Sequence, residues 1–148
     1  MLTAKGKYGL KALVHLAQLP PGQLALVADV AEINNIPKKF LDAILGDLRN
    51  AGLVQSRKGK GGGYRLARLP EDITVGSIIR VLDGPLAPIP CASHTRYHPC
   101  DDCDVATCQV RQMMLNVRNA IAEVLDHTTL AQMRDAEGGV LPIELQLA

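Results

Sequence analysis

The chain has 148 residues and a formal net charge of +1, and 47% of its residues are apolar while only four are aromatic. This length suffices for one domain with an aliphatic core, so the fold does not depend on disulfide bonds. No apolar run approaches the ~18 residues that cross a bilayer and no signal-peptide pattern opens the chain, so we expect a cytoplasmic protein without a membrane partner, whose thiols stay reduced.

The charge is divided unevenly along the chain. Residues 1–68 contain eleven Lys and Arg and four Asp and Glu, a net charge of +7, whereas residues 69–148 contain five and eleven, a net charge of −6. A basic half on a nearly neutral chain is typical of a surface that binds a polyanion such as nucleic acid.

Helical patterns occupy the first fifty residues. Apolar positions at helical spacing predict a first helix within residues 2–18, with Thr3 as its N-cap, and a second helix within residues 24–34. A third helix begins near Pro37, because proline is well placed in a first turn. The second and third helices, joined by the NNIP turn, form a candidate helix-turn-helix.

A basic hairpin follows the third helix. Two short strands, Leu53–Arg57 and Tyr64–Arg68, are predicted on either side of a KGKGGG turn. A hairpin directly after a candidate recognition helix is the layout of a winged helix-turn-helix, and its cations can meet phosphates or the minor groove. An ordinary solvated hairpin is the alternative interpretation. The GKGGG run lacks the GxxxxGK[ST] pattern of a nucleotide-binding loop.

The predicted DNA-contacting residues lie near the start of the first helix, at the recognition helix and on the hairpin. They are Lys5, Tyr8, Lys38, Lys39, Phe40, Asp42, Arg49, Arg57, Lys58, Lys60 and Arg65. Asp42 can only accept hydrogen bonds, so it either favours cytosine amino groups or serves as a charge partner at the helix N-terminus. Single-stranded RNA fits less well, because its modules stack bases on exposed aromatic side chains.

The second half of the chain contains two further helical patterns. Val75–Leu82 predicts a fourth helix with Thr74 as its N-cap, and an apolar stripe predicts a long helix at about 105–127. The stripe consists of Val110, Met113, Met114, Val117, Ile121, Val124 and Leu125. Since little chain remains to cover it, we expect a homodimer, whose two-fold symmetry also suits a palindromic operator in double-stranded DNA.

All four cysteines of the chain lie within residues 91–108, at spacing C-x8-C-x2-C-x4-C. They are Cys91, Cys100, Cys103 and Cys108. Clustered thiols in a reducing compartment indicate a metal site, and the uneven spacing favours an iron–sulfur cluster over zinc. Cys108 is expected in the first turn of the long helix, where the helix dipole stabilises a thiolate. His94 and His98 are further candidate ligands, and a metal-free thiol switch stays open.

Several segments together resemble the IscR/NsrR family of winged-helix regulators (the Rrf-two type). They are LTAKGKYGLKALVHLA, FLDAILGDLRNAGLVQSRKGKGGGYRLAR, ITVGSIIRVLDGP and a helical end in HTTLAQM, within Leu2 to about Met133. The resemblance implies a dimeric transcription factor, usually a repressor. Many members carry a [2Fe-2S] or [4Fe-4S] cluster on three loop cysteines and a variable fourth ligand. Iron supply, oxygen or nitric oxide then alters the cluster and sets the affinity for DNA.

The resemblance also assigns individual residues. It matches Cys91 and Cys108 to the first and last family cysteines, and either of the two cysteines between them could be the middle one. Arg111 stands where IscR has a histidine ligand, and Lys7 where NsrR has an aspartate ligand. The surplus cysteine is therefore the simplest fourth ligand, which would make an all-cysteine site.

The sequence thus predicts a mainly α fold with a small β-hairpin wing. A winged helix-turn-helix domain is expected at 1–83, a cluster-binding loop at 84–109 and a dimerisation helix within 105–133, followed by a loosely attached tail at 134–148. Outside the cysteine loop, no arrangement of His, Asp and Glu resembles a substrate pocket, which argues against an enzyme.

Overall fold

The computed structural model describes residues 2–139 and residue 141. Its helices and strands are α1 (Ala4–Ala17), α2 (Val27–Asn34), α3 (Lys38–Asn50), β1 (Val54–Arg57), β2 (Gly63–Leu66), α4 (Val75–Leu82), α5 (Gln109–Asp126) and α6 (Leu130–Asp135). Short 3₁₀ turns lie at Pro70–Asp72, Pro90–Ala92 and Glu137–Gly139. Within the described residues, no helix is long and apolar enough to cross a membrane.

Two predicted helix caps are confirmed. The Thr3 side chain accepts a hydrogen bond from the backbone N–H of Gly6 at the start of α1, and Thr74 accepts one from Ser77 at the start of α4. Asp83, just after α4, in turn accepts a hydrogen bond from the Thr3 backbone N–H at 3.0 Å. The C-terminus of α4 is thereby tied to the N-terminus of α1.

The turn between α2 and α3 is closed by its own backbone. Asn35 ends α2 in the left-handed region, with φ 53°, which asparagine tolerates better than most residues. The next N–H, of Ile36, donates to the Ala31 carbonyl at 2.8 Å, and Pro37 precedes α3. This tight reversal sets the angle between the two helices of the helix-turn-helix.

The core of the domain is aliphatic and centred on α3. Its inward face, at Leu41, Ile44, Leu45 and Leu48, is almost completely buried, and α1, α2 and α4 all pack against the helix. Phe40, which belongs to the apolar pattern of this helix, is 63% exposed because it lies at the edge of the buried stripe. The core therefore orients the other face of α3 toward solvent.

The predicted hairpin forms, with β1 and β2 antiparallel and Val54 opposite Leu66, but β1 begins one residue later than predicted and β2 runs from Gly63 to Leu66 rather than from 64 to 68. A third segment joins it, because Ala25 and Tyr64 exchange backbone hydrogen bonds of 2.8 and 2.9 Å. The second helix therefore begins at Val27 rather than at 24, since the residues before it pair with the hairpin. Gly63 permits this approach, because a Cβ there would collide with the Ala25 carbonyl. We call the basic hairpin, residues 53–68, the wing.

The long helix is shorter than predicted. Residues 104–107 form a turn in which the Thr107 N–H donates to the Asp104 carbonyl at 3.2 Å, so α5 begins at Gln109 rather than near 105. Cys108 is consequently its N-cap and does not lie in its first turn. The helix ends at Asp126, and after three connecting residues the predicted 105–133 region continues into α6, which begins at Leu130.

The chain after α5 folds back onto the winged domain. Thr129 and Gln132 form a capping box at the start of α6, which packs against α1. The Val75 N–H donates to the Thr128 carbonyl at 2.8 Å, and the Leu130 N–H donates to the Ile73 carbonyl at 2.9 Å. Part of the predicted tail thus belongs to α6. Residues 140 and 142–148 lie outside the described residues.

A bidentate ion pair joins α4 to the C-terminal end of α5. The Arg80 guanidinium donates to both carboxylate oxygens of Asp126, at 2.6 and 2.9 Å. This hydrogen bonding lowers the pKa of Asp126 below its usual range. A lowered carboxyl pKa contributes stability above the ordinary pKa, and the contribution is lost as the pH falls through the lowered value.

We therefore expect Asp126→Asn to reduce the free energy of unfolding by about 1 kcal/mol at neutral pH, a value limited by solvent screening of a partly exposed pair. The difference in the free energy of unfolding between the wild type and this variant should become smaller as the pH falls through the lowered pKa of Asp126, because the protonated carboxyl no longer pairs with Arg80. Urea unfolding at several pH values measures it. Glu123→Gln is the control, because this exposed α5 carboxylate lies 3.8 Å from the His127 ring in a weak, solvent-exposed pair, and it should lower the free energy of unfolding much less; an equal loss in both variants would contradict the assignment.

Candidate nucleic-acid interface and cysteine centre

The N-terminus of α3 presents a group of exposed side chains, including Lys38, Lys39, Phe40 and Asp42. Lys38 Nζ lies 3.0 Å from Asp42 Oδ2, one helical turn away. The structure therefore supports the charge-partner interpretation of Asp42. Base reading by this carboxylate stays a prediction.

Two residues of α1 lie beside the helix-turn-helix. Lys5 Nζ forms an ion pair with Asp47 Oδ2 of α3 at 2.7 Å. Tyr8 is half-buried and lines an open groove of about 670 Å³ together with Glu32 and Lys38. Lys5 and Tyr8 therefore lie next to α2 and α3. From this position α1 can contribute side chains to the same surface as the helix-turn-helix.

The wing carries exposed cations. Arg57, Lys58 and Lys60 are all exposed, and no ion pair within the described part of the chain involves them. The turn between the strands needs glycine at position 62, because a Cβ there would collide with the Arg57 carbonyl oxygen. Unpaired lysines at the end of a hairpin suit phosphate contact, since an ammonium group acts there as a point charge.

The other two predicted contacts hold neighbouring polar side chains. Arg49 Nη1 donates to Ser56 Oγ at 3.4 Å, and Arg65 Nε donates to Gln55 Oε1 at 3.3 Å. These bonds link the end of α3 to β1 and β1 to β2. The guanidinium groups stay exposed beside the wing.

Three of the four cysteines lie together in the loop before α5. The Cys103 thiol contacts both Cys100 and Cys108. Cys100 Sγ donates to Asp102 Oδ1 at 2.6 Å, and the ligand atoms of Cys100, Asp102 and Cys103 all lie within 4.8 Å of one another. We call this group, Cys100, Asp102, Cys103 and Cys108, the cysteine centre.

The thiols of the cysteine centre differ in acidity. Hydrogen bonding to Cys100, and then to Cys108, raises the pKa of Cys103 to about 12. The pKa of Cys108 is lowered, chiefly because its sulfur accepts the backbone N–H of Arg111 and also the Cys103 thiol. As the N-cap of α5, Cys108 is therefore the residue through which the centre touches the long helix.

Cys91 lies apart from the cysteine centre, in the Pro90–Ala92 turn that packs against α5, and its side chain is buried. Arg111 Nε donates to the Cys91 carbonyl at 2.9 Å, and its guanidinium lies 6.0 Å from the ring centroid of Tyr97. Arg111, at the position where the resemblance expects a ligand, thus braces the loop against α5.

The two candidate histidines do not join the centre. His94 and His98 are exposed, and the ring N–H of His98 donates to the neighbouring Pro99 carbonyl at 2.9 Å. The sequence analysis missed Asp102. The sequence did contain a sign of it, because Asp102 lies inside the C-x-x-C segment, between Cys100 and Cys103, and ligand atoms so close in the chain can meet at one site.

The donor atoms of the cysteine centre suit a metal ion or cluster that prefers sulfur ligands. Thiolates are the usual ligands of zinc and of iron–sulfur clusters, and an additional carboxylate oxygen can serve zinc or an iron. Three thiols and one carboxylate on a single loop therefore suit either a zinc ion or a cluster.

The α5 helix exposes three of the seven residues of its apolar stripe. Val110, Met113 and Val117 are 58%, 53% and 40% exposed, and Ala122 is the one buried α5 residue in the described structure. Exposed apolar groups on one helix face are typical of a surface that binds another molecule.

A helix-turn-helix that leads directly into a basic wing defines a winged helix-turn-helix DNA-binding protein. A family model described as "Rrf2: Iron-dependent Transcriptional regulator" matches residues 2–136. The chain belongs to the Rrf2 family and is a DNA-binding transcriptional regulator. The predicted fold class and the family resemblance are confirmed, and the relatives are regulators, as the sequence predicts, and not enzymes.

Individual relatives are similar over nearly their whole length. An rrf2-like transcriptional regulator of Rhodobacter capsulatus is 42% identical over 137 residues, covering 90% of this chain and 91% of the relative. The regulator CymR of Bacillus subtilis is 36% identical over 138 residues, covering 93% and 92%.

Solved structures agree with the fold. CymR, called the global cysteine regulator of B. subtilis, matches with a TM-score of 0.75 and 36% identity over 90% of this chain and 95% of CymR. T. potens IscR matches with a TM-score of 0.72 and 37% identity, over 93% of this chain and 88% of IscR.

Proposed function

We propose that this chain is a dimeric repressor whose affinity for an operator is set by an iron–sulfur cluster held at the cysteine loop. The observation that carries the proposal is the contact of three thiols at the N-cap of α5. The same helix exposes the apolar stripe, so a change at the thiols acts on the element expected to join two chains.

DNA binding is assigned to α3 and the wing. The exposed lysines at the N-terminus of α3 enter the major groove or contact its edges, and the wing cations contact phosphates on the flank. Salt dependence measures such contacts directly, because each neutralised phosphate releases counterions.

We expect the double substitution Lys58→Ala and Lys60→Ala to make the plot of log affinity against log salt less steep by about two to four units for a bound dimer. Fluorescence anisotropy with a fixed operator duplex at several salt concentrations gives the slope. Arg118→Ala on α5 removes a cation away from the wing and should leave the slope unchanged. An unaltered slope in the wing variant would show that the wing does not touch DNA.

Dimerisation is assigned to the exposed stripe of α5. Val110, Met113 and Val117 lie at spacings of three and four residues, which places them on one face of the helix. Two such faces packed together would remove the apolar area from water and set the two wings at a defined separation.

We expect Val117→Glu to convert the dimer to a monomer, because burying two carboxylates at a two-fold contact is unfavourable. Analytical ultracentrifugation at micromolar protein measures the change. Gln112→Glu, on the opposite exposed side of the same helix, adds the same charge and should remain dimeric. If both variants stay dimeric, the stripe is not the interface.

The cluster is assigned to Cys100, Cys103 and Cys108, with Cys91 completing the all-cysteine set. When bound, the cluster supplies a redox- and iron-dependent group with bonds to these sulfurs. The chain itself supplies the coupling. Cys108 caps α5, and Arg111 holds the Cys91 segment against the same helical turn, so both loop segments that carry the proposed ligands contact the start of α5.

Anaerobic purification followed by iron, sulfide and zinc analysis and a visible spectrum tests this assignment. We expect iron and sulfide in the wild type, and their loss in Cys103→Ser and Cys108→Ser. Loss in Cys91→Ser but not in Asp102→Asn supports the all-cysteine site, and the reverse assigns Asp102 as the fourth ligand. Asp101→Asn is the matched control. Colourless protein with one zinc per chain would overturn the cluster and leave DNA binding intact.

A further inference from the structure

The cysteine centre has a further possible chemistry, which concerns its thiols when no metal is bound. Cys103 is exposed, its sulfur and that of Cys100 lie within 4.8 Å of one another, and its thiol also hydrogen-bonds to Cys108. In the described structure all four cysteines are free thiols. We propose that the metal-free chain is oxidised by hydroperoxides to an intramolecular disulfide of which Cys103 is always one member.

The geometry makes Cys103 the common partner. Cys100 and Cys103 form a C-x-x-C segment with sulfurs within 4.8 Å, and Cys108 reaches the same thiol from the start of α5. Whichever of the three sulfurs is oxidised first, its nearest partner thiol makes a pair that includes Cys103. Thiols already in contact condense faster than thiols that must first approach one another.

Hydrogen peroxide is the only oxidant that the formation of this disulfide requires. One thiol attacks the peroxide, breaking its O–O bond, and becomes a sulfenic acid while one water leaves. The neighbouring thiol then attacks the sulfenic sulfur, the S–O bond breaks, and a second water leaves with the S–S bond formed. Two thiols give up two electrons and two protons, and one hydrogen peroxide is reduced to water.

Cys91 is excluded from this chemistry. Its side chain is only 7% exposed, and its backbone is held by Arg111. A peroxide does not reach a buried thiol readily, and the brace keeps the Pro90–Ala92 turn packed on α5. The loop therefore contains one protected cysteine and three others, two of which form the disulfide.

The consequence concerns the N-cap of α5 and, where the proposed cluster function holds, the supply of ligands. A disulfide between Cys103 and Cys108 ties the loop covalently to the residue that accepts the Arg111 N–H. A disulfide at either position removes two of the proposed cluster ligands. Oxidised chain would then take up no iron and sulfide until a reductant restores the thiols.

The experiment uses the full-length chain, reduced and freed of metal with a chelator, treated with one equivalent of hydrogen peroxide and then alkylated. Cleavage at Lys and Arg leaves Cys100, Cys103 and Cys108 in one peptide, residues 97–111, and Cys91 in another. We expect peptide 97–111 to lose two hydrogens and carry a single alkyl group, with Cys91 fully alkylated. Cleavage before Asp101, Asp102 and Asp104 then locates the linked pair.

Cys103→Ser is the decisive variant, and Cys91→Ser its matched control. We expect Cys103→Ser to form the intramolecular disulfide at least about tenfold more slowly, because its remaining thiols do not touch, while Cys91→Ser reacts like the wild type. In the wild-type chain, a Cys100–Cys108 bond, a bond to Cys91, a bond between two chains, or no disulfide would each overturn the proposal, and so would a Cys103→Ser variant that forms its disulfide as fast as the wild type. Since the sample holds no metal, the outcome does not depend on whether the chain carries a cluster.

Discussion

The burial of one face of α3 is the constraint from which the rest of the molecule follows. Leu41, Ile44, Leu45 and Leu48 are held between α1, α2 and α4, and their removal from water is the main driving force available to an aliphatic core. Because this face is fixed inward, the lysines at the start of α3 must face solvent. The strand β1 leaves the same helix directly, so the wing is held in a defined position beside it.

The C-terminal elements attach to this core through polar contacts at both ends of α5. At its C-terminal end, the Arg80–Asp126 pair and the backbone bonds around Thr128 join it to α4. At its N-terminal end, Cys108 caps the helix and Arg111 braces the preceding loop. The cysteine centre therefore sits at the far end of the long helix from its anchor, where a change in the loop can alter the helix start without disturbing the core.

The basic surface of α3 and the wing must stay exposed to solvent, whereas the apolar stripe of α5 must be covered. The proposed DNA-binding face needs its cations exposed, and the wing lysines lie exposed in a glycine-rich turn outside the core. The α5 stripe needs a cover, because three large apolar side chains lie in water in the isolated chain. A second copy that covers the stripe would also fix the distance between two wings, so the two requirements are met by one association.

Much of this could be predicted from the sequence, because local rules determine it. The Thr3 and Thr74 caps, the helix-turn-helix, the glycine hairpin and the apolar stripe of α5 each depend on residues a few positions apart, and all were confirmed in the structure. The concentration of thiols in one loop was equally visible.

Three features could not be predicted from the sequence: the pairing of Ala25 with Tyr64, the start of α5 at Gln109, and the separation of Cys91 from the other cysteines. The first and third depend on contacts between segments far apart in the chain. The second depends on whether residues 104–107 form a turn or a helix, and residue spacing does not determine any of these features. Tertiary packing decided them, because it buried Cys91 against α5 and left the other three thiols together on the exposed loop.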